Sequence, residues 1–201
     1  MIKVDGMTNI SDLPMQDAKK YTQLDYEQVM TLYDYHPWNK GLNPNIDQIT
    51  HKILGLKPKH DNKPTRRYSL ELFTTAIRDS IIPLITTNNN ICCVVPSHTA
   101  GDVSLGLREL MGRLKGDLKY TNTHTHLRRI YDVEKSATGG NRSLQHNLDS
   151  IRVMEPEKIR GNTIFLLDDI TSTGSSLLAC KQLLLQAGAS KVVMIAIGQT
   201  R

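Results

Sequence analysis

Three observations predict an α/β fold built on a doubly wound, mainly parallel sheet. Residues 91–95 (ICCVV), 163–167 (TIFLL) and 191–197 (KVVMIAI) are short apolar runs without polar alternation, as expected of strands buried on both faces. The first two each lead through small polar residues into apolar residues at helical spacing. That order, strand then loop then helix, puts the loops at the carboxyl ends of the strands, where such sheets bind ligands.

The composition sets bounds on this picture. A chain of 201 residues with 39% hydrophobic and 22% charged residues fits one soluble domain, or one domain with an appendage. No apolar run approaches a membrane span, and MIKVDGMTNISDLP lacks the apolar centre of a signal peptide. Cys92, Cys93 and Cys180 lie inside apolar segments, are odd in number and have no CxxC spacing. They read as buried hydrophobes in a reducing cytoplasm, not as a disulfide framework or a zinc ribbon. A net charge of +5 and a pI near 9.1 suit a polyphosphate ligand and are compatible with nucleic-acid binding.

Along the chain, residues 1–20 are polar and aperiodic, a leader. Residues 21–35 carry Tyr21, Leu24, Tyr26, Val29, Met30, Leu32 and Tyr33 and are expected to be a short helix, broken by the Pro and Asn residues of 37–45. A second helix is expected over 46–54 behind Asn45. Together these make residues 1–68 a leader and helical cap that packs its own aromatics, with residues 57–67 (KPKHDNKPTRR) as a basic linker. The α/β core is then 69–201. It opens with a helix over 69–85, carrying Leu72, Ala76, Ile77, Ile81 and Leu84 on one stripe, and Asn88 to Asn90 turn the chain into the first apolar strand.

That strand stops at Pro96, and Ser97, His98, Thr99, Ala100 and Gly101 form the loop before a helix carrying Val103, Leu107, Leu110, Met111 and Leu114. Residues 119–120 suggest a further strand. Residues 121–142 are long, polar and rich in His, Arg, Thr and Gly, which in a compact domain suggests a lid or a disordered stretch. His124 and His126, with no third ligand near them, make a poor metal site.

The densest chemistry lies in residues 162–187. A buried strand runs into Asp168 and Asp169, then into Thr171, Ser172, Thr173, Gly174 and Ser175, then into a helix with Leu177, Leu178, Leu184 and Leu185. Amides at the start of that helix, the positive end of its dipole and four hydroxyls together form a cradle for a phosphate, and Gly174 lets the backbone come close. No lysine lies in the loop, so the Walker pattern GxxxxGK[ST] and an ATPase reading lose their support. Two carboxylates beside a phosphate must face something else, sugar hydroxyls or a cation. A plain turn with Asp168 as helix cap would need one acid and one hydroxyl, not this whole set. Gly188 then ends the helix, before the last strand.

FLLDDITSTGSSL, residues 165–177, resembles the phosphoribosyl-pyrophosphate (PRPP) motif of type I phosphoribosyltransferases. The resemblance implies that Asp168 and Asp169 hold the ribose hydroxyls, with Mg²⁺ reaching them mostly through PRPP and water. It implies that Thr171 to Ser175 hold the 5′-phosphate. The loop of Ser97 and His98, with Arg128, Arg129 and Arg142 from the lid, would face pyrophosphate; arginine's fork suits phosphate oxygens. The loop lacks the Arg or Lys that many family members place there. The spacing QxxLxxxR at Gln145, Leu148 and Arg152 resembles competence-type (ComF-like) members, although their cysteine-rich zinc module is absent. The implied activity is transfer of ribose 5-phosphate from PRPP to a nitrogen nucleophile, a nucleobase or other small amine, with release of pyrophosphate; a homodimer is compatible with this. The alternative from another class is a PRPP- or nucleotide-sensing regulator with the same fold, able to bind nucleic acid but without turnover. A phosphate-binding hydrolase ranks third.

Overall fold

In the computed structural model, the described residues are 18–19, 27–37, 39, 42–57, 63–84, 90–118, 126–134 and 143–201. Four strands form one parallel sheet in the order β1-β6-β5-β2: β1 (Val29–Tyr35), β2 (Asn90–Val94), β5 (Thr163–Thr171) and β6 (Lys191–Thr200). A separate antiparallel pair is made of β3 (Leu127–Arg129) and β4 (Ile151–Val153). The helices are α1 (Gln48–Leu54), α2 (Lys63–Ser80), α3 (Leu105–Leu118), α4 (Leu144–Ser150), the single turn α5 (Pro156–Ile159) and α6 (Ser175–Gln186).

Successive strand residues point to opposite faces, and here both faces are buried. Cys92, Val94, Phe165, Leu167, Val193, Ile195 and Ile197 pack against α1, α2 and α3. Ile91, Cys93, Val95, Ile164, Leu166, Val192, Met194 and Ala196 pack against α6, α5 and the β3-β4 pair. This double cover is why ICCVV and KVVMIAI show no alternation. Burial also raises all three cysteine thiols, Cys93 to about 12, leaving them protonated and inert. No helix among the described residues is long and apolar enough to cross a membrane.

The first expectation to be corrected is the helix over 21–35. Of that stretch, residues 29–35 form β1, paired in parallel with β6 from Val29↔Met194 to Tyr35↔Thr200. VMTLYDY is rich in β-branched and aromatic residues, and its side chains are needed on both faces of the sheet. Their spacing therefore imitated a helical stripe. The expected boundary at residue 68 falls inside α2, which begins at Lys63 and takes in much of the supposed linker. Ser69 opens no helix; its hydroxyl donates to Thr65 O within α2. Tyr33 meets Phe73 edge to face at 5.8 Å, tying β1 to α2. Residues 127–129, placed in the lid by sequence, form a strand. The strand expected over 119–120 lies outside the described residues, as do most of residues 1–26.

Candidate functional site

All four strands of the main sheet run the same way, so β1, β2, β5 and β6 deliver their carboxyl ends to one edge. Val95 N–H donates to Leu167 O at 3.0 Å, so the loop after β2 and the acids at the end of β5 leave the sheet side by side. Residues 163–167 are buried, whereas Asp168, Asp169 and Ile170 are half-buried as the edge opens. Each carboxylate folds back on its own backbone. Asp169 N–H donates to Asp168 Oδ1 at 2.8 Å, and Ile170 N–H to Asp169 Oδ1 at 2.7 Å.

The two acids crowd one another, and Asp168 bears the consequence. Lost hydration, reinforced by the neighbouring Asp169 charge, pushes Asp168 up to about 8, against the opposing pull of the Asp169 N–H and Lys57. Lys57 Nζ lies 3.3 Å from Asp169 Oδ2. Burial favours the neutral form of Lys57, but attraction to Asp169 outweighs it and the ammonium is held above its ordinary range. Tyr35, at the end of β1, is raised by burial and feels both Lys57 and Asp169.

The loop after the acids frames a hollow of about 80 Å³ lined by Asp168, Thr171, Ser172, Thr173, Gly174, Ser175 and Ser176, with Ile170. That is room for several water-sized groups, and so for a phosphoryl group. Gly174 is the N-cap of α6 at φ 77 and ψ −2, a left-handed conformation that would strain any side chain, and no side chain caps the helix. Asp168 is therefore not its cap. The first intrahelical bond runs from Leu178 N to Gly174 O, so the amides of Ser175, Ser176 and Leu177 precede the helical ladder, with only a long 3.4 Å contact from Ser175 N to Thr173 Oγ1. Thr173 and Ser175 share a hydroxyl contact, and Ser172 Oγ meets Thr200 Oγ1 at 2.8 Å. The chemistry is that of an anion cradle: amides, hydroxyls and a helix dipole without a fixed cation.

The loop of Ser97 to Gly101 is arranged differently. Ser97 N donates to Asp102 O, Thr99 N to Ser97 Oγ, Ala100 N to Asp132 Oδ1 and Gly101 N to Arg129 O. His98 is half-buried, its ring 3.4 Å from Thr99 Oγ1 and its carbonyl accepting from Val133 N. Arg129 is 4% exposed. Its Nε donates to Ser97 O at 2.7 Å and Nη2 to Asn147 Oδ1 at 3.2 Å, while Nη1 bonds Ser150 Oγ. Burial lowers its pKa. In this arrangement Arg129 braces the loop from behind instead of presenting a free fork. Arg128 is exposed and its guanidinium lies over Gly101. Arg142 lies outside the described residues, as does His124, while His126 is buried. Of QxxLxxxR, Arg152 caps α4 by donating to Leu148 O and Asp149 O, and Gln145 bonds Asp149.

Two adjacent carboxylates offering hard oxygens fit Mg²⁺, which is commonly bound by one or two carboxylates plus phosphates and water. Among the described residues no group of three or more His, Cys, Asp or Glu could enclose a metal, so an ion here would depend on a ligand and water for its remaining partners. Asp168 and Asp169 are the side chains that would hold it. The sequence reading missed Ser176, one position beyond the residues assigned to the phosphate, and Lys57, Tyr35 and Thr200, which only the fold brings to this edge.

No family model matches the chain, and no curated protein matches it. Among solved structures it is similar to a phosphoribosylpyrophosphate synthetase from Mycobacterium smegmatis, at 18% identity and a TM-score of 0.34, over 66% of this chain and 33% of that one. It is also similar to a hypoxanthine phosphoribosyltransferase from Staphylococcus aureus, at 10% identity and a TM-score of 0.39, over 66% of this chain and 73% of that one. The chain thus spans about a third of the length of the first.

Proposed function

We propose that the chain is a phosphoribosyltransferase that takes PRPP and a nitrogen nucleophile, of the nucleobase class, and releases pyrophosphate. One observation carries this reading. A phosphate-sized hollow at an uncapped helix start adjoins two carboxylates at the end of the same strand. Thr171, Ser172, Thr173, Ser175 and the amides of the first turn of α6 would grip the 5′-phosphate. Asp168 and Asp169 would accept hydrogen bonds from the ribose hydroxyls. The acceptor's ring nitrogen attacks C1 while the C1–O bond to pyrophosphate breaks. The bonding pair leaves on pyrophosphate oxygen, and the nitrogen gives up its proton. Holding the sugar at two places aligns C1 for that displacement. Bound Mg²⁺ would screen charge on the polyphosphate. Lys57 and α1 lie at the same edge, which supports a role for the N-terminal region in covering the acceptor.

The test is pyrophosphate release from PRPP with a panel of nucleobases, compared with Asp168→Asn/Asp169→Asn. The double variant should keep its fold and lose turnover about a hundredfold or more. Undiminished turnover in that variant would sink the assignment. A second reading, a PRPP-binding regulator without turnover, is supported by the loop after β2. Its Ser97, Thr99, Ala100 and Gly101 amides are already engaged within the protein, and it has no Arg or Lys. PRPP binding by calorimetry, with no pyrophosphate released for any base, would favour that reading.

A further inference from the structure

Lys57 is held in place from several sides. Its N–H donates to Leu54 O at 2.9 Å, closing the end of α1, and Leu56 before it is fully buried. Gly106 in α3 lies so close to Leu56 that a Cβ there would come 2.2 Å from Leu56 O. The backbone of this short stretch is therefore trapped between α1 and α3, and the lysine stem leaves it toward the carboxyl edge of the sheet. There Nζ stands 3.3 Å from Asp169 Oδ2, beside Tyr35. An ion pair whose lysine side chain is 41% exposed adds little to stability. What it does supply is a positive charge beside two crowded carboxylates, in a site whose phosphate loop contains no lysine or arginine.

We propose that Lys57 is the resident counter-ion of the acidic pair. It holds the position that a divalent cation takes when the site loads, and it must leave Asp169 for that cation to bind. This rests on the reading of Asp168 and Asp169 as the sugar- and cation-facing pair. Lys57 thereby sets how much Mg²⁺ the site requires. It also ties loading of the site to residues 55–57, which follow α1. It is a positioning residue that acts through Asp169.

The experiment is calorimetric titration of MgCl₂ alone into the full chain and into Lys57→Met, Lys57→Gln and Asp169→Asn, each checked for folding by thermal melt. With the competitor removed, Lys57→Met and Lys57→Gln should bind Mg²⁺ about fivefold or more tighter than the unmodified chain, whereas Asp169→Asn should bind it more weakly. Equal or weaker Mg²⁺ binding by both folded Lys57 variants overturns the proposal, as does absence of Mg²⁺ binding from every protein. A parallel titration with PRPP distinguishes the two readings. If no protein binds PRPP but the Lys57 variants gain Mg²⁺ affinity, the transferase reading fails and the counter-ion role stands. If PRPP binds and the Mg²⁺ affinities are equal, the counter-ion role fails and the PRPP site stands.

Discussion

Two loops leave the same edge of one sheet and are made in opposite ways. The loop after β5 ends in a left-handed glycine and a helix that no side chain caps, so its amides and hydroxyls face a hollow. In the loop after β2, the Ser97, Thr99, Ala100 and Gly101 amides are bonded within the chain, and its first carbonyl is gripped by a buried arginine. Backbone donors left open are costly unless water or a ligand meets them, and donors closed by the protein itself are structural. The difference is between a loop whose donors are left open to a ligand or water and one whose donors hold its own shape.

The largest expected effect is on the closed loop. Arg129→Met removes donors from Ser97 O, Asn147 Oδ1 and Ser150 Oγ in a buried setting, at a cost of about 3 kcal/mol. Thermal melts should then fall by roughly 6–12 °C for a domain of this size. An unchanged melting temperature with weakened PRPP binding would mean that Arg129 is a ligand contact after all. Gly174→Val on the open loop should cost about 1–2 kcal/mol, because a β-branched residue is forced to φ 77. PRPP affinity, read by calorimetry, should fall at least about tenfold as the cradle shifts. Equal affinities would show that the phosphate lies elsewhere.

The effect read through pH concerns Asp168 and has a defined sign. Its folded pKa is raised, to about 8 against an ordinary 3.8, so the folded state binds the extra proton. Stability is therefore lost as pH rises from near 4 through 8. Asp168→Asn cannot ionise and should melt higher than the unmodified chain at pH 8, with little difference at pH 4. Differential scanning fluorimetry across that range checks it, and a variant that melts lower at pH 8 would show that the carboxylate is stabilising there.

The open loop was legible in sequence because it is local. Strand, acids, hydroxyls, glycine and helix follow one another within a single stretch, and the structure keeps them together. The closed loop was legible only in position. That Arg129 turns inward to Ser97, Asn147 and Ser150 depends on β3 pairing with β4, which a three-residue strand does not announce. Lys57 was hidden for a similar reason, since nothing in KPKHDNKPTRR points to a carboxylate far along the chain. Residues 29–35 misled differently. Val29, Met30, Leu32 and Tyr33 fit a helical stripe, and only the excess of β-branched and aromatic side chains favoured a strand. The start of α2 is obscured by the charge of KPKHDNKPTRR and by Pro64, which a first helical turn tolerates.

The strand order β1-β6-β5-β2 has a consequence for biosynthesis. The ribosome delivers Val29–Tyr35 early, yet its sheet neighbour, Lys191–Thr200, emerges some 160 residues later. Until then the nascent polypeptide carries an unmatched apolar ribbon that is open to chaperones and to other chains. Translation pauses before residue 190 should therefore promote aggregation more than pauses placed after it.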